Sequence, residues 1–527
     1  MRSKPLESLG LRLISSFVYK VAFPVFNSIM GGGSGDWFSF TSTALANFAA
    51  QYNFQAIAIC LQVMSASVCT IDDADCKTGE QAAWIAGSAE ATIFIGAVVG
   101  QLSMGFLGDI LTRNQALTVT LATSAFGAFL SAVAPAGDPN SIYGVIVLFR
   151  FILGIGLGGI YPLSATKSSE DSASQKGKTN SSGSAMAFFW QIPGATAPWV
   201  LSYLFTYTSL STGYRWRLVL GLGAIPPALS ILCLWLEAYH KPHIHEQASA
   251  KTTVQPLPHP APTTALIFEK LKDPKIRGKL IGCGGSWLLY DVVFYGLTLL
   301  GGVVIGDITD GDDDVSSPAN IRKLCSKQSI ALSLGAISVA ISIILLPYLS
   351  LKYLQITGFL VQAFFLALFV VLFTYLRAND SNGLFALYCL VLMSLQLGVP
   401  VTTYALPASV FQKDIRCTFN GMASAMGKIG AIIGAYTFYY IAQASIHAVL
   451  VICVIVCLIG ALMTHFYIED GTLSNDDSAG GACNSKSSLF RTVRIDMEDS
   501  IMLSPLADNS LHSHCDHENN SNIDTSL

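Results

Sequence analysis

Gly105-Phe-Leu-Gly108-Asp109-Ile-Leu-Thr-Arg113 is a short turn between two apolar blocks, one at about 82–107 and the next at about 115–135. Each block is about 20 residues long, the length a helix needs to cross roughly 30 Å of hydrocarbon. The small residues of the turn let two helix ends approach closely. Asp109 and Arg113 stand four apart and can pair. A solvated turn with a stray salt bridge has the same composition. The position between two apolar blocks instead favours a latch between helices that move.

Blocks of this kind recur along the chain. Of 527 residues, 52% are hydrophobic and only 12% charged, and mean hydropathy is +0.52. A soluble domain carries roughly 25% charged residues. In lipid every backbone amide must be satisfied internally, so the blocks read as helices. The expected fold class is an all-α membrane protein of twelve transmembrane helices in two six-helix halves. The spans fall at about 42–66, 82–107, 115–135, 142–166, 184–208, 216–238, 280–305, 328–350, 354–376, 383–408, 418–442 and 445–466. Residues 1–41 form an N-terminal segment, 42–239 the first half, 240–279 a linker rich in Pro, Ala, Thr, Lys and His, 280–467 the second half, and 468–527 a polar tail. That tail is too polar to build a core and reads as disordered.

Lysine and arginine set the expected orientation. With the N-terminus inside, the cytosolic side receives Arg113, Lys167, Lys176, Lys178, Lys241, Lys270, Lys272, Lys275, Lys352, Lys413 and Arg416, among others. The opposite side receives the acidic stretches Asp72 to Glu80 and Asp307 to Asp314. Both termini are therefore expected in the cytosol. No cleavable signal peptide is evident. The amphipathic stretch Leu9 to Phe26 reads as a surface helix, a transit peptide being the alternative, and Gly31 to Gly35 as a hinge. Cys69 and Cys76 share a loop and read equally as a bridge or a free pair. Asn379-Asp380-Ser381 is a glycosylation sequon in an outer loop.

Ionisable residues at membrane depth are costly and point to function. They are Arg150, Asp291 and Lys428, with Glu90 and His447 nearer the outer ends. Trp287 and Tyr295 flank Asp291 at minus four and plus four, so one helical face presents an indole, a carboxylate and a phenol. That face suits a polar solute. The competing reading is a structural ion pair of Asp291 with Lys428 or Arg150. The three central charges sum to +1, a balance that favours an anion if Asp291 is paired or carries a proton.

The loop at Gly105–Arg113 resembles the G-x-x-x-D-x-x-x-R signature of the major facilitator superfamily, whose members use it together with an acid at the end of span four, here Glu170. The matching loop of the second half, Pro347 to Leu354, keeps only Lys352. Arg150-Phe-Ile-Leu-Gly-Ile-Gly-Leu-Gly-Gly159-Ile160-Tyr161-Pro, Ser286-Trp287-Leu-Leu-Tyr-Asp291-Val-Val-Phe-Tyr295 and Gly427-Lys428-Ile-Gly430 resemble spans four, seven and eleven of the phosphate:proton symporters of plants and fungi. The resemblance covers both halves but neither the tails nor the linker. It implies alternating-access transport of inorganic phosphate with a proton as coupling ion, and a plasma-membrane location. It implies Tyr161, Gln191, Trp287, Asp291, Tyr295 and Lys428 as substrate contacts, and Asp291, Arg150, Asp109, Arg113 and Glu170 as coupling and gating residues. Three positions depart from the family pattern. Ile160 and the run Ala50-Gln51-Tyr52-Asn53 replace family acids linked to proton movement, and Pro400 replaces an asparagine.

An organic phosphate or other small anion, moved by uniport or exchange, is the second reading. A nutrient receptor that binds without transporting is the third. An enzyme is not expected, since no nucleophile with its base, no metal-ligand set and no nucleotide loop is present. Gly156-x-Gly158-Gly159 lies inside a helix and serves close packing. No cofactor and no nucleic-acid partner are expected; the partners are a small anionic solute, a proton and the lipid bilayer.

Overall fold

The computed structural model describes residues 34–65, 68, 83–134, 137–173, 180–240, 264–299 and 318–469. The described residues form helices α1 (Ser34–Ser65), α2 (Ala83–Ile110), α3 (Arg113–Ala132), α4 (Pro139–Ala173), α5 (Asn180–Phe189), α6 (Gln191–Phe205), α7 (Thr212–Leu222), α8 (Ile225–His240) and α9 (Thr264–Lys272). They continue with α10 (Pro274–Leu299), α11 (Pro318–Ser333), α12 (Gly335–Leu345), α13 (Leu351–Asn379), α14 (Ser381–Leu395), α15 (Val399–Val410), α16 (Arg416–Ala444) and α17 (Ile446–Tyr467). No strand occurs among the described residues. Four spans are interrupted helices: α5–α6, α7–α8, α11–α12 and α14–α15. With α9 set aside as a short amphipathic element, the rest make twelve spans in two sixes.

The interruptions have local causes. Pro193 follows the break at Trp190, and Pro226 and Pro227 follow the break at Gly223; proline has no N–H to continue the helical ladder. Between α14 and α15 Gly398 takes φ +72°, open to glycine at little cost. Its amide is satisfied by Ser342 Oγ at 2.8 Å, as backbone freed inside a membrane must be.

Nine of the spans are long and apolar enough to cross a membrane by length and composition. The other three, α1, α5–α6 and α16, carry Asn47, Gln51, Gln191, Asn420 and Lys428, all buried. Their polarity points inward rather than to lipid.

The two halves meet through α2 and α16 at the face that carries both ends of the helical unit. At Gly421 an added Cβ would lie 2.2 Å from Gln101 O, and at Gly105 it would lie 2.8 Å from Cys417 O. Only glycine permits that crossing.

Some readings fall differently from expectation. Gly35, read as part of a hinge, lies inside α1, which begins at Ser34. The linker stretch contains α9 and the start of α10, while residues 241–263 lie outside the described ones. Lys167, counted as a loop cation, is buried in α4 and pairs with Glu237 at 3.1 Å. The segment Leu9–Phe26, the tail from 470, Cys69, Cys76 and the side chain of Glu90 lie outside the described residues.

Candidate functional site

At mid-depth α1, α4, α5–α6, α10, α15 and α16 surround a cavity of about 30 Å³, room for roughly one water. Trp287, Asp291 and Tyr295 of α10 line it, as their shared helical face predicts, and so do Tyr161, Gln191 and Lys428. All six residues that the sequence comparison nominated for the substrate thus face one space between the halves.

Its charge centre is a buried pair. Lys428 Nζ lies 2.8 Å from Asp291 Oδ2 and 3.0 Å from the Tyr295 hydroxyl. Lys428 is 1% exposed and Asp291 2%. The ammonium also stands 4.3 Å from the Tyr295 ring, 4.9 Å from Tyr161 and 5.3 Å from Phe54, distances at which ring quadrupoles attract a cation. One wall of the cavity is therefore a cation held by a single carboxylate and boxed by aromatic rings.

Another part of the lining is neutral and rich in amides. Gln51 Nε2 donates toward Gln191 Oε1 at 3.0 Å, the Tyr161 hydroxyl at 3.2 Å and the Tyr295 hydroxyl at 3.3 Å. It thus links α1 and α4 of one half to α10 of the other. Its own Oε1 is buried with no hydrogen-bond partner among the described residues. Gln51 stood in the sequence only as a neighbour of the acids lost at Ala50 and Asn53; in the fold it is the hub of the hydrogen bonds around the cavity. Pro400, another departure, lines the cavity beside Thr403. Asn53 is structural: its Nδ2 donates to Ala49 O at 2.9 Å and Gly223 O at 3.0 Å, pinning the break before α8. Ile160 is fully buried packing.

On the terminal side of the cavity a second set of hydrogen bonds joins the halves. The Tyr404 hydroxyl lies 2.7 Å from Ser164 Oγ and accepts from Asn47 Nδ2 at 3.0 Å. Asn47 Oδ1 in turn accepts from Gln191 Nε2 at 2.7 Å. Sequence reading missed Asn47, Ser164 and Tyr404. The available signal was spacing, since Asn47 stands four residues before Gln51 and Tyr404 four after Pro400. Each such bond is worth about 0.5–1.5 kcal/mol net. Tyr404→Phe is expected to slow transport about 5- to 30-fold by weakening this closure, measured as initial uptake rate in proteoliposomes; an unchanged rate removes Tyr404 from the gate.

The residues that the sequence nominated for coupling and gating divide. Asp109, Arg113 and Glu170 come together at the terminal face: Arg113 meets Asp109 at 3.2 Å and Glu170 through two nitrogens at 3.2 Å, and also bonds Gly108 O. Asp109 reaches the other half, accepting from Thr418 N and Oγ1 at 2.7 Å and from Cys417 N at 3.1 Å. A carboxylate at a helix N-terminus satisfies amides that have no partner within the helix. Arg416 adds a contact to Glu170 at 3.4 Å. The second half thus answers the latch through the start of α16, not through its own Pro347–Leu354 loop.

Arg150 is elsewhere. It is fully buried, does not line the cavity, and donates to Asn53 O at 2.9 Å. Of the two partners expected for Asp291, the structure brings it Lys428. The cavity wall therefore holds one cation and one acid, not a net +1. His447, at the far end of α17, bonds Thr374 at 2.9 Å.

Comparison with known proteins adds to this geometry. The family of sugar (and other) transporters matches residues 39–253. Inorganic phosphate transporter PT2 of Toxoplasma gondii is 29% identical over 442 residues, covering 83% of this chain and 73% of that protein. Inorganic phosphate transporter 1-6 of Oryza sativa subsp. japonica is 24% identical, covering 79% and 88%. Inorganic phosphate transporter 1-4 of Arabidopsis thaliana is 25% identical, covering 77% and 84%. Among solved structures, the proton:xylose symporter XylE bound to 6-bromo-6-deoxy-D-glucose superposes with a TM-score of 0.61 at 15% identity, over 83% of this chain and 97% of that one. That structural likeness bears on fold alone. The chain is a multi-pass membrane protein with the major facilitator fold, and over most of its length it resembles the inorganic phosphate transporters.

Proposed function

We propose that this chain carries inorganic phosphate across a membrane by alternating access, with a proton as coupling ion. The observation that carries the reading is the Lys428–Asp291 pair, sealed between the halves in a cavity otherwise lined by hydroxyls, amides and an indole. The similarity to phosphate transporters supports it. An anion entering this space competes with Asp291 for Lys428. If Asp291 takes up a proton as the anion binds, the site stays neutral: ammonium and carboxylate before, ammonium and monoanion after. Moving net charge through a low-dielectric interior is costly, and this exchange avoids it. Gln51 Oε1 and the Tyr161 and Tyr295 hydroxyls are placed to accept from the P–OH groups of a protonated phosphate.

Substrate contacts in this reading are Tyr161, Gln191, Trp287, Asp291, Tyr295 and Lys428, joined by Gln51. Asp109, Arg113 and Glu170 act as the latch, Arg150 braces α4 against α1, and Asp291 carries the coupling proton. The lysine and arginine bias supports cytosolic termini, and the family resemblance supports the plasma membrane. The cavity in this arrangement has room for about one water, so phosphate and a phosphorylated metabolite would both need its walls to part, the metabolite further.

The test is radiolabelled phosphate uptake into proteoliposomes with and without an imposed pH gradient. The parent is expected to accumulate phosphate when the compartment it leaves is acid. Asp291→Asn is expected to abolish the pH-driven component. A variant with unchanged pH dependence would remove Asp291 as the coupling group. Competition by phosphorylated metabolites tests the exchanger reading, and binding without counterflow would point to a receptor.

A further inference from the structure

A second cavity of about 30 Å³ lies near the face opposite the termini. Ser202 and Thr206 at the end of α6 and Thr212, Arg215 and Trp216 of α7 line it from the first half, and the start of α11 closes it from the second. Its polar lining is one-sided, hydroxyls, an indole and a guanidinium with no acidic residue, set beside the apolar side chains of Cys60, Val63, Val219, Pro318 and Ile321. Trp216 Nε1 and Ser202 Oγ are buried without hydrogen-bond partners among the described residues, their residues being 0% and 5% exposed. Two such groups on different helices around one space is not how a finished core is built, because buried donors are nearly always satisfied.

The surroundings select the ligand's charge. The Arg217 guanidinium lies 4.1 Å over the Trp216 ring. Arg322, from the second half, donates to Thr206 Oγ1 at 3.2 Å. Arg215 is fixed by its bonds to Leu210 O at 2.9 Å and Thr208 O at 3.2 Å. Arg217 and Arg322 stand around the cavity and not in its wall; of the groups that line it, the Arg215 guanidinium, the indole and the hydroxyls are all able to donate to an oxyanion. The site is drawn from described residues alone; the acidic stretches 72–80 and 307–314 fall largely outside them.

We propose that this cavity is an oxyanion site, distinct from the central one, for phosphate-monoester chemistry either free in solution or on a lipid headgroup. Because its walls come from both halves, a bound anion favours the arrangement in which the halves are closed on this side. The inference rests on the donor set and does not require the central cavity to transport phosphate.

The experiment uses the purified full chain carrying Lys428→Met, which silences the central site. Radiolabelled inorganic phosphate binding is measured in detergent, and phosphatidic acid binding by native mass spectrometry. One saturable site is expected, weakened tenfold or more by Trp216→Phe and separately by Ser202→Ala. Ser202→Ala conserves shape, whereas Trp216→Phe keeps an aromatic ring but leaves a cavity, so a cooperative melting transition, lowered or not, certifies that the proteins are folded. Phosphate binding sensitive to these substitutions identifies a soluble oxyanion; sensitivity confined to phosphatidic acid identifies the lipid headgroup; either supports the site. Failure of both probes to bind, or binding indifferent to both substitutions, overturns it. Phosphate uptake retained by Lys428→Met alongside this binding would count against the central reading alone.

Discussion

Lys428→Met is expected to reduce phosphate uptake at least 100-fold and to abolish saturable phosphate binding at the central site. Two effects combine. The cation proposed to hold the substrate disappears, and Asp291 is left as a buried carboxylate whose partner at 2.8 Å is gone. Breaking one side of a buried pair costs about 3–5 kcal/mol, so the single variant is also expected to melt earlier. The double variant Lys428→Met with Asp291→Asn separates these effects. A neutral pair of similar volume is tolerated in a core, so thermal stability should return towards the parent while phosphate uptake stays absent. If uptake returned with stability, the pair would be a structural tie and the anion would be carried elsewhere. Melting temperature and phosphate uptake on the same samples decide between them.

Gly421→Val is the second large effect. The new Cβ would sit 2.2 Å from Gln101 O and 3.2 Å from the Cα of Gly105. These are backbone atoms that no rotamer change can move aside. Overpacking of a tight contact costs about 1–3 kcal/mol and more where backbone must shift. At the upper end that is roughly 100-fold in the population of the closed terminal face. Uptake should fall by a similar factor, with purified protein still folded. Cys417, now fully buried in that closure, should become reactive to a maleimide, read by peptide mass spectrometry. A variant with parental uptake and a protected Cys417 would show that closure of this face does not depend on the α2–α16 crossing.

The expected and observed elements agree where the physics is local. Twelve spans could be read because each needs its own 20-residue apolar block, and the Trp287–Asp291–Tyr295 face because spacing along one helix fixes azimuth. Depth without azimuth misled at Arg150: it lies well inside α4, but its side chain turns to the Asn53 carbonyl and not to the cavity. Gln51 drew no attention because it sits between Ala50 and Asn53, the positions where acids are lost, yet a primary amide can both give and accept, and here it links three elements. The partner of Asp109 was illegible because it lies some 300 residues away, at the N-terminus of α16. Inspection of the symmetry-related loop at Pro347–Leu354 could not reveal it. The Asn47–Ser164–Tyr404 closure is of the same kind: ordinary polar residues, given meaning only when helices from the two halves are brought together.

The departures Ile160, Ala50 and Asn53 also bear on coupling. With those acids absent, Asp291 is the carboxylate that lines the described cavity. Proton dependence, if present, converges on one residue, and this makes the Asp291→Asn experiment sharp. A phosphate carrier that retained full pH-driven uptake without Asp291 would have to bring its proton in on the substrate.

The central claim is that phosphate itself binds between the halves and crosses with them. Counterflow tests this most directly: proteoliposomes preloaded with unlabelled phosphate are diluted into a trace of radiolabelled phosphate with no imposed ion gradient. The account predicts transient accumulation of label by the parent, none by Lys428→Met, and no effect of preloading with xylose. Absence of counterflow in folded parent protein, or equal counterflow with xylose, would contradict it.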